Sequence, residues 1–310
     1  MCKFHFQFEW KLNILTFFDA VELQRRGYYD DVKDLVETMY RENGNKKVTV
    51  VAHSMGAAIM LHFLTQSGVV TQSWKDQYIG NFITLSAAWA GGNEDIQAAV
   101  SGLGLINERP DDIFGLFSFL KNYIRETLKP ILQSFQSTSF LLPRPSVWGS
   151  TVLVTTPTQS YTANDYQQLF DDAGFTDGYS MYQVIENVNK DFPSPNVPTL
   201  CFYGVNVDTP LSFNYSKSFP AGVDEDPMVT MGNGDGAVAL PSSEVCLRWN
   251  NNNGGHSFRS RAFSNVDHKE MLKADSVLTE IGTAVGAPAD PTQASNSGGN
   301  WWDSIVDFFG

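Results

Sequence analysis

The stretch Val48-Thr-Val-Val-Ala-His-Ser-Met-Gly-Ala57 constrains this chain more than any other, because a β-branched run stops at a serine flanked by very small residues. Val48, Val50 and Val51 make a short apolar strand after the polar turn at 42–47, while Ile59, Met60, Leu61, Phe63 and Leu64 make the next segment a mostly apolar helix. A strand that turns sharply into a buried helix can present one side chain at its crest. Bulk two positions to either side would clash there, and those positions hold Ala52 and Gly56. Ser54 is therefore a candidate nucleophile. The same residues also read as a buried strand followed by an ordinary helix with Ser54 as its N-cap.

The segments around this turn set a fold class. Tyr28 to Tyr40 alternates apolar and acidic residues at helical spacing, and 81–86 is a second buried strand. Further strands are expected near 199–203 and 245–249. Alternating strands and helices predict an α/β protein with a mostly parallel sheet and helices on both faces. More than a hundred residues between the second and third strands break the alternation. Within them, 113–140 carries apolar residues too widely spread for one narrow helical stripe, which suggests a cap above the sheet; plain core is the other reading. From Pro288 the composition becomes Ala, Pro, Ser, Gly and Asn up to an aromatic end at Trp301–Gly310, which reads as a flexible tail.

Composition limits the partners. With 42% hydrophobic residues in 310, a sizeable core is available. Lys and Arg number 21 against 34 Asp and Glu, and the net charge of -13 argues against nucleic acid. Such an acidic balance suits an acidic compartment or simply a soluble surface. No apolar run is long enough to span a membrane. Residues 1–20 carry Lys3, Glu9 and Lys11 and do not read as a signal peptide; Phe4, Phe6, Phe8, Trp10 and Leu12 instead alternate like a half-buried strand. The three cysteines, Cys2, Cys201 and Cys246, are either free thiols or include a bridge between the latter two, which flank an acidic glycine loop. Asn214-Tyr-Ser216 is a glycosylation sequon that agrees with a luminal or secreted setting.

A serine hydroxyl becomes a useful nucleophile only when an imidazole takes its proton and a carboxylate orients that imidazole. In α/β hydrolases the order is Ser, Asp or Glu, His, each on a loop after a strand. Met231-Gly-Asn-Gly-Asp-Gly-Ala-Val238 presents Asp235 between two glycines, making it the favoured carboxylate. A turn or a calcium loop is the alternative, but the further oxygen ligands of a calcium loop are missing, so no metal is expected. Of the histidines, His53 is locked beside the serine, His62 lies on the following helix, and His5 is in the leader. His268, in a polar loop before a C-terminal helix with Asp267 or Asn265 as a cap, is the preferred base; His256 is the runner-up.

These residues carry a resemblance. Val51-Ala-His-Ser-Met-Gly56, Trp74-Lys-Asp-Gln-Tyr-Ile79, the stretch from Thr156 to Tyr166, Cys201-Phe-Tyr-Gly204, Gly234-Asp-Gly-Ala-Val238 with Glu244-Val-Cys246, and His268-Lys-Glu-Met271 stand in the order of one family. From about residue 21 to 287 the chain resembles the lecithin:cholesterol acyltransferase family, most closely its lysosomal phospholipase A2 branch. The resemblance implies an α/β-hydrolase fold, a cap over 91–197, Ser54, Asp235 and His268 as the catalytic triad, and a Cys201–Cys246 disulfide. It also implies a cofactor-free enzyme of the lysosomal lumen or the secreted space. That enzyme would move an acyl chain from a glycerophospholipid, at a membrane or lipoprotein surface, to water or a lipid alcohol. A neutral-lipid esterase and an inert lipid-binding remnant are the competing functions.

The departures from that family are equally specific. Its members have well over a hundred residues before the strand that leads to the serine, including a signal peptide, several strands and a loop with one oxyanion N–H. Residues 1–20 match none of these motifs, so the expectation is a fold lacking its N-terminal strands, with the Met55 backbone N–H as the remaining oxyanion donor. The strand at 48–52 would then carry an unpaired edge, which a truncated gene product would leave open and the alternating leader could cover as a surrogate strand. Ser86-Ala-Ala-Trp89 lacks the proline that the family places before the tryptophan.

Overall fold

The structure, a computed structural model, describes residues 20–102, 129–223 and 225–286. The alternating leader, most of the amphipathic segment at 113–140 and the C-terminal tail lie outside the described residues. Two four-stranded sheets organise the rest. The first has the order β1 (Val48–His53), β2 (Ile79–Leu85), β5 (Thr199–Val205), β8 (Phe258–Ser264), all parallel. The second has the order β4 (Ser160–Thr162), β3 (Val152–Thr155), β6 (Val207–Asn214), β7 (Met228–Gly234), with antiparallel β3–β4 and β6–β7 pairs around a parallel β3–β6 pair.

Successive side chains of a strand point to opposite faces, and the near-continuous burial of β2 and β5 shows that the first sheet is covered on both. Phe82 packs with Cys201, Tyr203 and the helices Tyr28–Glu42 and Met55–Thr65 in one large core. Ile83, Leu85, Leu200 and Phe202 face the other way, onto Val277, Leu278 and Ile281 of the helix Asp275–Val285. The strands expected at 48–52, 81–86 and 199–203 are all present. Lys75 of the Trp-Lys motif is buried and its Nζ donates to the carbonyls of Leu64 at 3.0 Å and Pro195 at 2.8 Å, tying the end of one helix to the approach to β5.

The stretch 245–249 is not a strand. Glu244–Trp249 is a 3-10 helix continuing the short helix Leu240–Ser243. Its burial is helical rather than alternating: Val245, Cys246 and Trp249 are buried while Leu247 is exposed. The fourth strand of the parallel sheet is instead Phe258–Ser264, whose outward Arg259 and Arg261 both pair with Glu280. Cys201 and Cys246 are joined by a disulfide, both ends fully buried.

The second sheet places the site. β6 starts directly after β5, and the β6–β7 hairpin returns the chain to the C-terminal end of β5, where Asp235 follows β7. That hairpin is locked by Thr209, whose Oγ1 accepts from the Gly236 N–H at 2.8 Å.

Candidate active site

Ser54 sits between β1 and the helix Met55–Thr65 at φ 54, ψ -131, a conformation that costs a non-glycine residue about 1 to 3 kcal/mol and projects its side chain off the end of the sheet. Its N–H is held by the Leu85 carbonyl at 3.0 Å, so β2 anchors the turn. Met55 is the first residue of the helix, and its N–H has no partner within the helix, as for any first-turn amide. The small-residue argument holds less well at Gly56, where an added Cβ would meet no atom within 4 Å. Among the described residues β1 has a neighbouring strand on one side only, and the space beside Gly56 is open.

Asp235 and His268 are brought to Ser54 from far along the chain. His268 Nδ1 lies 2.9 Å from Asp235 Oδ2, and its Nε2 lies 2.9 Å from Ser54 Oγ. A carboxylate can only accept, so Nδ1 carries the proton and Nε2 is left to accept from the serine hydroxyl. The backbone N–H of His268 also donates to the Asp235 carbonyl at 2.8 Å. Asp235 itself is fully buried, with Oδ1 accepting from the N–H groups of Ala237 at 3.0 Å and Val238 at 2.7 Å. Burial pushes its carboxyl up, but the hydrogen bond and charge of His268, with smaller help from Ser86 and the Val238 N–H, outweigh that and hold it below the usual carboxylate value. The Ser86 hydroxyl is buried, sits at φ 46 and lacks good hydrogen-bond geometry to any protein atom, so its influence on Asp235 is one of proximity.

Two glycines make this convergence possible. A Cβ on Gly204, at the end of β5, would lie 2.1 Å from the Val266 carbonyl oxygen and 2.8 Å from Asp235 Cβ. A Cβ on Gly234 would lie 2.5 Å from both Thr209 Oγ1 and the Val238 carbonyl oxygen. Asp267 caps the turn after the histidine, accepting from the N–H groups of Lys269 at 2.8 Å and Glu270 at 2.7 Å. His256 lies elsewhere, with its Nε2 3.5 Å from Asp76.

His53 is the residue that sequence reasoning passed over. Its Nε2 donates to the His268 carbonyl at 2.9 Å, and the two rings lie 4.5 Å apart. Burial, then the charge of His268, pushes its pKa down to about 4. Adjacency to the serine was the only signal in the sequence. Asn214 is exposed at the end of β6, while Tyr215 of the same sequon is buried. Among the described residues no group of three or more His, Cys, Asp or Glu side chains is arranged to hold a metal ion.

With this geometry in place, the comparisons with known proteins are specific. The sequence profile of the family described as lecithin:cholesterol acyltransferase matches residues 4–275. The chain belongs to that family. The match starts ahead of the first motif read from the sequence, and it makes the parallel sheet with its helices an α/β-hydrolase fold. The chain is 37% identical over 255 residues to a lysosomal phospholipase A and acyltransferase of Canis lupus familiaris, covering 82% of this chain and 57% of that protein. It is 36% identical over 255 residues to the protein of the same name from Homo sapiens, covering 82% and 57%. It is also similar to a phosphatidylcholine-sterol acyltransferase of Gallus gallus, 33% identical over 255 residues, covering 81% of this chain and 56% of that protein. This family member thus spans little more than half the length of these curated relatives.

Proposed function

We propose that this chain carries a serine-dependent acyl-transfer site that cleaves an acyl ester of a glycerophospholipid and passes the acyl group to water or a lipid alcohol. The observation that carries this is the hydrogen-bonded chain from Ser54 Oγ through His268 to a buried, ionised Asp235, in a family whose curated relatives are named phospholipase and acyltransferase. Ser54 Oγ attacks the ester carbonyl while His268 Nε2 takes its proton, and Asp235 stabilises the imidazolium. The Met55 N–H faces the developing oxyanion. Collapse breaks the ester C–O bond, and the leaving lysolipid oxygen takes the proton from His268. Water or an alcohol then gives its proton to His268 and attacks the Ser54 ester, releasing a fatty acid or a new ester and restoring the serine.

The substrate is met at a membrane or lipoprotein surface, in the lysosomal lumen or outside the cell. The buried Cys201–Cys246 disulfide supports an oxidising compartment, and exposed Asn214 supports glycosylation there. The test is mass spectrometry of phosphatidylcholine vesicles containing a long-chain alcohol, incubated with the protein and with Ser54→Ala. We expect lysolipid plus acylated alcohol from the parent protein and a loss of at least about 10³-fold in Ser54→Ala. Hydrolysis of triacylglycerol alone would favour the neutral-lipid esterase. No product and no labelling of Ser54 by a fluorophosphonate would leave an inert remnant.

A further inference from the structure

We infer that His53 is a positioning residue, whose ring N–H clamps the backbone of the loop carrying His268. The inference rests on the reading of Ser54, His268 and Asp235 as the reacting set. The His268 peptide is held on both sides: its N–H donates to the Asp235 carbonyl at 2.8 Å, and its C=O accepts from His53 Nε2 at 2.9 Å. The second of these contacts comes from the residue next to the nucleophile. Nucleophile and base are therefore tied together by a path other than the Ser54–His268 hydrogen bond, which must break and re-form in every catalytic cycle.

The carbonyl can only accept, so this contact fixes His53 as the Nε2–H tautomer. The titratable groups acting on the His53 ring are His268 and Asp235. Burial first, and His268 second, push its pKa down to about 4, so the clamp is neutral where the site would work. A neutral ring 4.5 Å from His268 adds no repulsion when His268 becomes an imidazolium. The rest of the loop is anchored independently, by Asn265 N–H to the Val205 carbonyl at 2.8 Å and by the Asp267 cap. Losing the clamp should thus disturb alignment more than folding.

Two substitutions separate the N–H from the ring. His53→Phe keeps an aromatic ring against His268 and removes the donor; His53→Gln removes the ring and returns an N–H at similar reach. The rate of Ser54 labelling by a fluorophosphonate should fall about threefold to tenfold in His53→Phe, the range expected for one lost hydrogen bond, and return to within about twofold of the parent in His53→Gln. Amide hydrogen exchange in the 264–272 peptide should be faster in His53→Phe and as slow as the parent in His53→Gln. If the Phe ring prevents folding, His53→Ala takes its place.

Parent-like labelling and exchange in His53→Phe would overturn the clamp. Equal losses in both variants would also overturn it, assigning the effect to the ring. If the folded parent is not labelled, the nucleophile reading fails, and the exchange comparison alone still decides whether His53 clamps the loop.

Discussion

Asp235 shows how much of this site depends on one residue's surroundings. It is buried, yet it stays ionised because every oxygen has a donor: two backbone N–H groups on Oδ1 and His268 on Oδ2. Asp235→Asn keeps the shape but turns an acceptor into a donor facing Nδ1, which favours the wrong tautomer of His268. Labelling of Ser54 and lipid turnover should fall by on the order of 10⁴, with secondary structure unchanged by circular dichroism. Ser54 and Asp235 were legible because glycines and small residues bracket them in the chain, and His268 because it stands in a polar loop before a C-terminal helix, after both in the expected order. His53 was not, since a histidine before a serine carries no sign of a carbonyl 215 positions away.

Between elements, the decisive contact is the approach of the β8 loop to the end of β5. Gly204 allows it, because any Cβ there would run into the backbone of Val266 and into Asp235. Gly204→Ala should push the His268 loop outward by a fraction of an ångström to an ångström, and misplacement on that scale costs about 10²-fold. Labelling kinetics in a protein that still melts cooperatively would check this. The disulfide works at the same level, joining β5 to the 3-10 helix across 45 positions. Replacing Cys201 and Cys246 with serine should lower the stability measured by urea unfolding by about 4 kcal/mol on the loop-entropy model. The stretch 245–249 reads as a strand in the sequence because Val, Cys, Leu and Trp suit either state; its burial pattern, set by the partners it packs on, decides for the 3-10 helix Glu244–Trp249.

The molecule as a whole should lose stability in acid, for reasons traceable to its core. His62 is buried, stacks on Tyr29, leaves Nδ1 without a partner, and has its pKa pushed from 6.5 to about 4 by burial. Between those values the unfolded chain binds a proton that the folded chain does not. Stability from this group is therefore complete above about pH 6.5 and is lost as pH falls toward 4, by up to about 3 kcal/mol. His53 acts in the same direction. Protonation of carboxylates works against this by reducing a net charge of -13. His62→Phe isolates the histidine: its urea midpoint should drop less than the parent's between pH 7.5 and 4.5. An equal drop would show that His62 is not the source.

By itself the sequence determined the strand–serine–helix turn, the parallel α/β sheet, the order of Ser54, Asp235 and His268, and the family, since local propensity and motif order are properties of neighbours in the chain. Only the tertiary structure decided the second sheet, in which a parallel β3–β6 pair across some fifty residues joins two local antiparallel pairs, with β7 as an exposed, glycine-bearing edge strand. The same holds for β8 as the fourth parallel strand, for the Gly204 contact and for the His53–His268 hydrogen bond. These depend on which surfaces meet once the chain has closed on itself, and no spacing along the sequence encodes that meeting.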